Sequence, residues 1–179
     1  MSAETTIAET MIAETMIAET MIAETGNAHQ DKSESGENFE PRIVGFLCNW
    51  CSYAGADKAG LAQVPYPPNV RVVKFMCSGR MDPQFVLQCY ENGADGVLIL
   101  ACHFGDCHYK EGNFRATQRH RMLLHLLKQE GIEEARCRFD YVSAGEGDKF
   151  VQVVTEMTEA IRQLGPLHKR FIPKPKGDS

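Results

Sequence analysis

The sequence lacks several features that mark membrane, secreted or nucleic-acid-binding proteins. No apolar run reaches the roughly 20 residues that a membrane-spanning helix requires, and the N-terminus has no basic flank followed by an apolar signal core. Lys and Arg do not cluster into the stripe that a nucleic-acid-binding surface needs. We therefore expect a cytoplasmic protein without a membrane or nucleic acid partner.

Familiar catalytic patterns are also missing. The chain has no Ser-His-Asp order, no phosphate-binding glycine loop and no closely paired carboxylates that rise above chance. Gly93 and Gly96 precede a predicted strand, which is the wrong side of a strand for a dinucleotide fingerprint. We expect no substrate site and no independent reaction in this chain.

Charge divides the chain into an acidic tail and a body. The 179 residues carry a formal net charge of -5, and residues 1–40 contain nine acidic side chains and a single basic one. Residues 1–25 repeat TMIAE with a period of five, so successive Met-Ile pairs rotate around a helix and form no apolar stripe. We predict a disordered N-terminal tail and linker over residues 1–40, one domain over residues 41–166 and a basic tail over residues 167–179.

From Arg42 onward, short apolar runs alternate with helical patterns. Asp82 and Asn113 are the expected caps of the second and third helices, and Ser143 or Asp148 caps the fourth. This β-α-β-α-β-α-β-α order predicts an α/β fold with an open four-stranded parallel sheet and flanking helices, flavodoxin-like or Rossmann-like. The predicted strands cover residues 43–47, 70–76, 96–101 and 136–142, and the helices cover residues 52–63, 83–93, 113–130 and 150–164.

Five of the seven cysteines lie where predicted strands end and loops begin. Successive parallel strands bring their C-terminal ends to one edge of a sheet, so these thiols are expected to converge on a single metal or cluster site. Cys89 falls within a helix and Cys137 at the start of a strand, and we interpret both as small buried hydrophobic residues. The converging five are Cys48, Cys51, Cys77, Cys102 and Cys107.

Three kinds of site could use these thiols. Four soft thiolate ligands suit zinc or an iron-sulfur cluster, but structural zinc usually braces small modules that have little core of their own. A thioredoxin-like dithiol explains Cys48 and Cys51 at a strand-to-helix turn and leaves the other three cysteines unused. An iron-sulfur cluster that carries single electrons is the hypothesis that uses all the converging cysteines.

Several spaced motifs occur together in one order: GFLCNWCSYAGAD, YPPNVRVVKFMCSGRMDPQFVL, NGADGVLILACHFGDCHYKEGN and YVSAGEGDKF. Over residues 43–165 this pattern resembles the delta subunit family of methyl-viologen-reducing hydrogenase. Two features depart from the family pattern. The TMIAE repeat is not part of it, and Phe104 stands where the family usually has proline.

The resemblance implies a 2Fe-2S cluster and an electron-transfer subunit. Such a subunit relays electrons from a hydrogenase or a formate dehydrogenase to the flavin subunit of heterodisulfide reductase. The simplest ligand set consists of two chelating pairs, Cys48 with Cys51 and Cys102 with Cys107. Cys77 then remains as an alternate ligand or as a thiol beside the cluster.

Residues around the cysteines are expected to tune the cluster and to contact a partner. His103 and His108 lie beside predicted ligands and could replace thiolates as in a Rieske centre, but with enough cysteines present we expect them beside the cluster, with hydrogen bonds to its sulfurs, or at the surface. Arginine and lysine near this edge could stabilise a reduced cluster or meet an acidic partner: Arg80, Lys110, Arg115 and Arg119. Exposed aromatic side chains are predicted to anchor a partner protein: Trp50, Tyr53, Phe104 and Tyr109.

Overall fold

Strands and helices alternate throughout residues 39–167, which are the residues that the computed structural model describes. The TMIAE repeats and the basic segment after residue 167 lie outside the described residues. Short 3₁₀ turns occur at Ser78–Arg80 and Glu134–Arg136. The main elements are β1 (Ile43–Cys48), α1 (Ser52–Leu61), β2 (Val70–Phe75), α2 (Pro83–Glu91), β3 (Gly96–Ala101), α3 (Gly112–Gln129), β4 (Cys137–Tyr141) and α4 (Gly147–Leu164).

The four strands form one parallel sheet in the order β2-β1-β3-β4. Ile43 of β1 lies opposite Val70 of β2 and Gly96 of β3. Every residue of β3 is buried, as expected for a central parallel strand that is covered on both faces. The predicted α/β fold with an open four-stranded parallel sheet is confirmed.

Helix α4 supplies much of the core because its apolar residues recur at helical spacing. Phe150, Val154 and Ile161 are almost fully buried and pack with Ile43 and Leu98 of the central strands. The apolar side chains on this face of α4 are buried along the whole helix. Their burial is the main way in which such a helix stabilises the folded state. Within residues 39–167, no helix is both long enough and apolar enough to cross a bilayer.

The expected cap of α2 forms, whereas those of α3 and α4 do not. Asp82 does cap α2, because its carboxylate accepts a hydrogen bond from the Gln84 amide at 2.9 Å. Asn113 does not cap α3: the helix begins at Gly112, and the Asn113 side chain bonds to residues of the preceding loop.

The start of α4 forms only half of the expected capping box. The helix begins at Gly147, and neither Ser143 nor Asp148 caps it with a side chain. The Glu146 carboxylate instead accepts a hydrogen bond from the Ser143 amide at 2.7 Å. This is one of the two bonds of a capping box. The other is not formed, because the Glu146 amide donates to the Ser143 carbonyl at 3.1 Å instead of to the serine hydroxyl.

Asp95 joins the two ends of the described segment at the edge of the sheet where the strands begin. Its carboxylate accepts hydrogen bonds from the backbone amides of Arg42 at 2.9 Å and Leu167 at 3.1 Å. The buried Arg136 side chain donates to the Asp95 carbonyl at 3.1 Å and to the Gly165 carbonyl at 3.0 Å. The start of β1 and the chain after α4 are therefore fixed side by side.

Candidate metal centre

The five predicted cysteines meet at the edge of the sheet where the strands end. Cys48 is the last residue of β1, Cys51 directly precedes α1, and Cys102 directly follows β3. Cys77 lies two residues after β2, and Cys107 lies in the loop between β3 and α3. Strands β1 and β3 are neighbours from which the chain proceeds in opposite directions, and such switch points are the usual binding sites of open α/β sheets. The five side chains form one cluster.

Distances divide the cluster into two sets. The sulfurs of Cys48, Cys51 and Cys102, the three-thiol set, all lie within 4.8 Å of one another. The sulfurs of Cys77 and Cys107, the two-thiol set, are 3.9 Å apart. A tetrahedral metal site with metal-sulfur bonds of about 2.3 Å spaces its sulfurs about 3.8 Å apart. The Cys48–Cys102 separation of 3.7 Å and the Cys77–Cys107 separation both match that spacing.

This grouping keeps Cys48 with Cys51 but separates Cys102 from Cys107, although both pairs are close in sequence. Cys102 lies beside Cys48, and Cys107 lies beside Cys77. The loop between Cys102 and Cys107 turns at Gly105, whose φ of 91° is a left-handed backbone conformation that favours glycine. The Asp106 amide donates to the His103 carbonyl at 3.1 Å across this turn. The two cysteines at the ends of the loop therefore contact different neighbours.

Two glycines let the loop after β2 pack closely against the start of α3. A Cβ atom on Gly112 would clash with the Cys77 sulfur and lie 3.1 Å from the Cys107 sulfur. A Cβ atom on Gly79 would lie 2.6 Å from the Gly112 Cα, which is closer than real Cβ contacts allow. Arg119 of α3 closes the contact by donating to the carbonyls of Gly79 at 2.5 Å and Met81 at 3.2 Å.

Backbone amides surround the sulfur of Cys107. Burial raises the pKa of this thiol, but hydrogen bonds from the backbone N–H groups of Tyr109, Asn113 and Gly112 outweigh burial and hold the pKa below its usual range. Two of these donors belong to the first turn of α3, where unpaired N–H groups and the helix dipole favour negative charge. These hydrogen bonds therefore stabilise the ionised form of Cys107. In contrast, burial raises the pKa of Cys77 to about 11.

The three-thiol set favours one thiolate at a time. Hydrogen bonds from Cys102 and then from Cys51 lower the pKa of Cys48 to about 2. The same contacts raise the pKa of Cys102 far above its usual range, because a second thiolate would face the first. A bound metal cation removes this penalty, since thiol ligands deprotonate on metal binding. The donor set therefore fits a thiophilic metal or an iron-sulfur cluster.

Two buried polar side chains support the site: Ser52, which the sequence analysis did not single out, and Asn113, which was expected only as a helix cap. The Ser52 hydroxyl accepts from the Cys48 amide at 2.8 Å and donates to the Leu100 carbonyl at 2.9 Å, so it ties the ends of β1 and β3 together. The Asn113 amide group donates to the carbonyls of Cys102 at 3.2 Å and His103 at 2.7 Å. The sequence offered only weak signals for these roles: Ser52 directly follows CNWC, and Asn113 directly follows a glycine.

The two histidines beside the predicted ligands have other partners. His103 Nε2 lies 2.7 Å from the Glu146 carboxylate. Hydrogen bonds from Ser143 and from His103 lower the Glu146 pKa to about 2. His108 stacks on the Trp50 ring with centroids 4.0 Å apart.

Among the nearby basic residues, Arg115 lies on the exposed face of α3. Its guanidinium group pairs with Glu111 at 3.4 Å, and both side chains are mostly exposed, so this pair contributes little to stability. Arg119, by comparison, is only partly exposed and bonds to the loop that carries Cys77. The two arginines of one helix thus have different roles.

Exposed aromatic rings surround the cysteines. Phe104 packs against Phe114 and Tyr141 at centroid distances of 4.5 Å and 5.0 Å. Of the predicted anchors, Tyr53 is only partly exposed and lies under the Lys74 ammonium group, 4.8 Å from it. We call the following group the aromatic rim: Trp50, Phe104, Tyr109 and Phe114, which are 45%, 52%, 50% and 48% exposed.

The remaining two cysteines are separate from the centre. Cys89 of α2 and Cys137 of β4 are 1% and 3% exposed. Burial raises the pKa of each thiol to about 12, so both stay protonated. Their interpretation as buried hydrophobic residues is confirmed.

The chain is similar to iron-sulfur subunits of hydrogenases. The chain is 51% identical over 130 residues to an iron-sulfur subunit of the F420-non-reducing hydrogenase of Archaeoglobus profundus, covering 73% of this chain and 95% of the relative. It is 48% identical over 130 residues to the vhc iron-sulfur subunit of the F420-non-reducing hydrogenase of Methanococcus voltae, covering 73% of this chain and 90% of that relative.

A longer relative contains a similar segment. The chain is 44% identical over 127 residues to one subunit of the ferredoxin:CoB-CoM heterodisulfide reductase of Methanosarcina mazei, covering 71% of this chain but only 16% of that protein. The family model of the methyl-viologen-reducing hydrogenase delta subunit matches residues 43–165, the same span over which the sequence motifs resemble that family. The chain therefore belongs to the methyl-viologen-reducing hydrogenase delta subunit family.

Proposed function

We propose that the chain holds a 2Fe-2S cluster at the five-cysteine centre. In this role it relays electrons from a hydrogenase or a formate dehydrogenase to the flavin subunit of heterodisulfide reductase. The observation that carries the proposal is the convergence of five thiols in two sets, each with sulfurs spaced as ligands of one metal ion. A 2Fe-2S cluster has two adjacent irons, each of which takes two cysteine ligands.

The two-thiol set would supply both ligands of one iron, Cys77 and Cys107. Two members of the three-thiol set would supply the ligands of the other, and the fifth thiol would remain beside the cluster. The sulfur distances favour this grouping. The partition by sequence pairs, with Cys77 left over, stays a prediction that single substitutions would test.

The surrounding residues suit a site for electron transfer. A bound 2Fe-2S cluster accepts and releases one electron without forming or breaking a substrate bond. Burial of Cys48, Cys51 and Cys102 keeps water away from the sulfurs. Amide donors at the start of α3 stabilise negative charge on Cys107 and so favour a reduced state.

The proposed partners rest on the relatives. Two of them are named as iron-sulfur subunits of hydrogenases, and another is a heterodisulfide reductase subunit whose own chain includes a segment similar to this one. Proteins that are joined in one chain commonly act in one complex, so we propose that this reductase subunit is the acceptor side. The aromatic rim is the proposed docking surface.

The domain assignment and the compartment remain part of the proposal. Residues 41–166 would form the iron-sulfur domain, between the N-terminal tail of residues 1–40 and the basic tail of residues 167–179. Seven cysteines without a disulfide among the described residues suit a reducing compartment, and we propose the cytoplasm.

A structural zinc site is the second candidate. The three-thiol set, with all sulfurs within 4.8 Å, could hold one zinc ion together with a fourth ligand. Metal analysis of protein purified without oxygen distinguishes the two candidates. We expect about two iron and two acid-labile sulfide ions per chain, as the 2Fe-2S formula requires. One zinc ion per chain without sulfide would contradict the proposed function.

A further inference from the structure

We infer that Asn113 is a positioning residue that holds the two thiol sets at the separation one cluster requires. The inference rests on the proposed cluster. Asn113 is fully buried, although its side chain is polar. Burial of an unpaired amide is costly, so its hydrogen bonds decide what the residue does.

Both halves of the Asn113 side chain have partners. The Nδ2 group donates to the carbonyl oxygens of Cys102 and His103, at 3.2 Å and 2.7 Å. The Oδ1 atom accepts from the Phe114 amide at 3.0 Å. The side chain therefore fastens the backbone that leaves β3 to the first turn of α3.

The same turn of α3 contacts the other thiol set. Gly112, the residue before Asn113, faces the sulfurs of Cys77 and Cys107, where a Cβ atom would clash with the first and lie 3.1 Å from the second. The Asn113 side chain thus fastens the peptide that carries Cys102, in the three-thiol set, to the turn that packs against both sulfurs of the two-thiol set.

This arrangement joins segments that no strand pairing fixes. Cys102 follows β3, whereas Cys107 lies at the far end of a loop that turns at Gly105. Without the Asn113 side chain, the distance between these two cysteines would depend on the loop alone. A cluster would bind cysteine sulfurs that are held at set distances from one another. If the distance between the Cys102 and Cys107 sulfurs varied, the protein would bind the cluster less tightly, and the electronic environment of the cluster would change.

The test compares Asn113→Asp with Asn92→Asp in the full-length chain. Asp nearly matches Asn in size and keeps an acceptor for the Phe114 amide, but it cannot donate to both carbonyls: the ionised carboxylate donates to neither, and the protonated form donates to only one. Asn92 is a matched control: it is exposed, and its Nδ2 group donates to the Gln88 carbonyl at 2.8 Å at the other end of the sheet. Asn113→Ala removes the same donor without adding charge.

Three readouts are measured on protein purified without oxygen: iron release to a chelator, the reduction potential, and the electron paramagnetic resonance spectrum of the reduced form. We expect both Asn113 variants to release iron about 10-fold faster than wild type, as found for residues that orient metal ligands. We also expect altered g-values in both variants and a lower potential in Asn113→Asp, whose carboxylate disfavours a more negative cluster. Asn92→Asp should match wild type.

The outcomes separate the inference from the proposed function. A wild-type chain without iron and sulfide would contradict the proposed function and this inference with it. A loaded wild type together with Asn113 variants that match Asn92→Asp in all three readouts would overturn the inference alone. Circular dichroism of the metal-free variants provides the last check. If they have lost their secondary structure, Asn113 is a residue of the fold and the inference is wrong.

Discussion

Two groups of cysteines in this protein have the same chemistry and comparable burial but different surroundings. Cys89 and Cys137 lie outside the five-cysteine cluster, and burial is the largest cause that raises both pKa values to about 12. Cys48 is equally buried, yet neighbouring thiols lower its pKa to about 2. Burial alone keeps a thiol protonated, whereas neighbouring thiols allow one buried member of their group to carry negative charge.

The largest expected effect is loss of the proposed cluster when a cysteine of the two-thiol set is replaced. Replacing Cys77 or Cys107 by Ser should abolish iron and sulfide binding, because the two-thiol set has no spare member. Cys89→Ala and Cys137→Ala should retain full loading, as measured by iron and sulfide per chain. If Cys77→Ser keeps its cluster, the pairing by sequence, with Cys77 as the additional thiol, becomes the better partition.

Gly112→Ala should show that the stability of the protein depends on the close contact between the start of α3 and the loop after β2. The added methyl group would meet the Cys77 sulfur, so we expect destabilisation of about 1–3 kcal/mol, as for overpacked interiors. Urea unfolding of the metal-free protein measures this change. Gly60→Ala is the control, since a Cβ there meets nothing within 4 Å and helix propensity predicts about 1 kcal/mol of stabilisation. Equal urea unfolding midpoints for the two variants would contradict the predicted clash between the added methyl group and the Cys77 sulfur.

The aromatic rim should contribute to partner binding rather than to the fold. Phe104→Ala and Phe114→Ala should each weaken binding to the purified flavin subunit of heterodisulfide reductase by about 2 kcal/mol, the size typical of interface hot spots. Isothermal titration calorimetry provides the affinity, and the visible spectrum shows whether the cluster is still present. Leu61→Ala is the control, because Leu61 is 87% exposed at the end of α1 remote from the cysteines. Unchanged affinity in both Phe variants would exclude this docking surface.

The smallest effect concerns acid stability at Glu146. Its folded pKa of about 2 lies below the ordinary value of 4.5, so the ionised form stabilises the folded state above about pH 4.5. This contribution is lost as the pH falls from 4.5 through 2. Glu146→Gln should therefore flatten the dependence of the metal-free protein's unfolding midpoint on pH in that window. Glu159→Gln, at an exposed position of α4, is the control variant.

The fold could be predicted because it depends on local patterns. The apolar run of β3 and the 3-4-7 spacing of α4 are visible in the sequence, and the alternation of elements then requires a parallel sheet. The shared edge of the cysteines follows from the same topology. Asp82 was assigned correctly because its cap involves only Gln84, two residues away.

The internal geometry of the site could not be predicted because it depends on contacts between distant residues. Asn113 fits a cap by local rules, but its side chain finds Cys102 and His103, eleven and ten residues back. The pairing of Cys77 with Cys107 requires the loop turn at Gly105 and the contact of Gly79 with Gly112. Neither contact has a periodicity that could be detected in one sequence.

The hydrogen bonds of the Asp95 carboxylate bear on where this segment can be joined to other proteins. Because the amides of Arg42 and Leu167 bind the same carboxylate, the two ends of the described segment lie side by side. They are separated from the five-cysteine edge by the length of β3, about 17 Å at 3.3 Å per residue. A gene fusion at either end would therefore join the segment to another polypeptide at a point distant from the five cysteines.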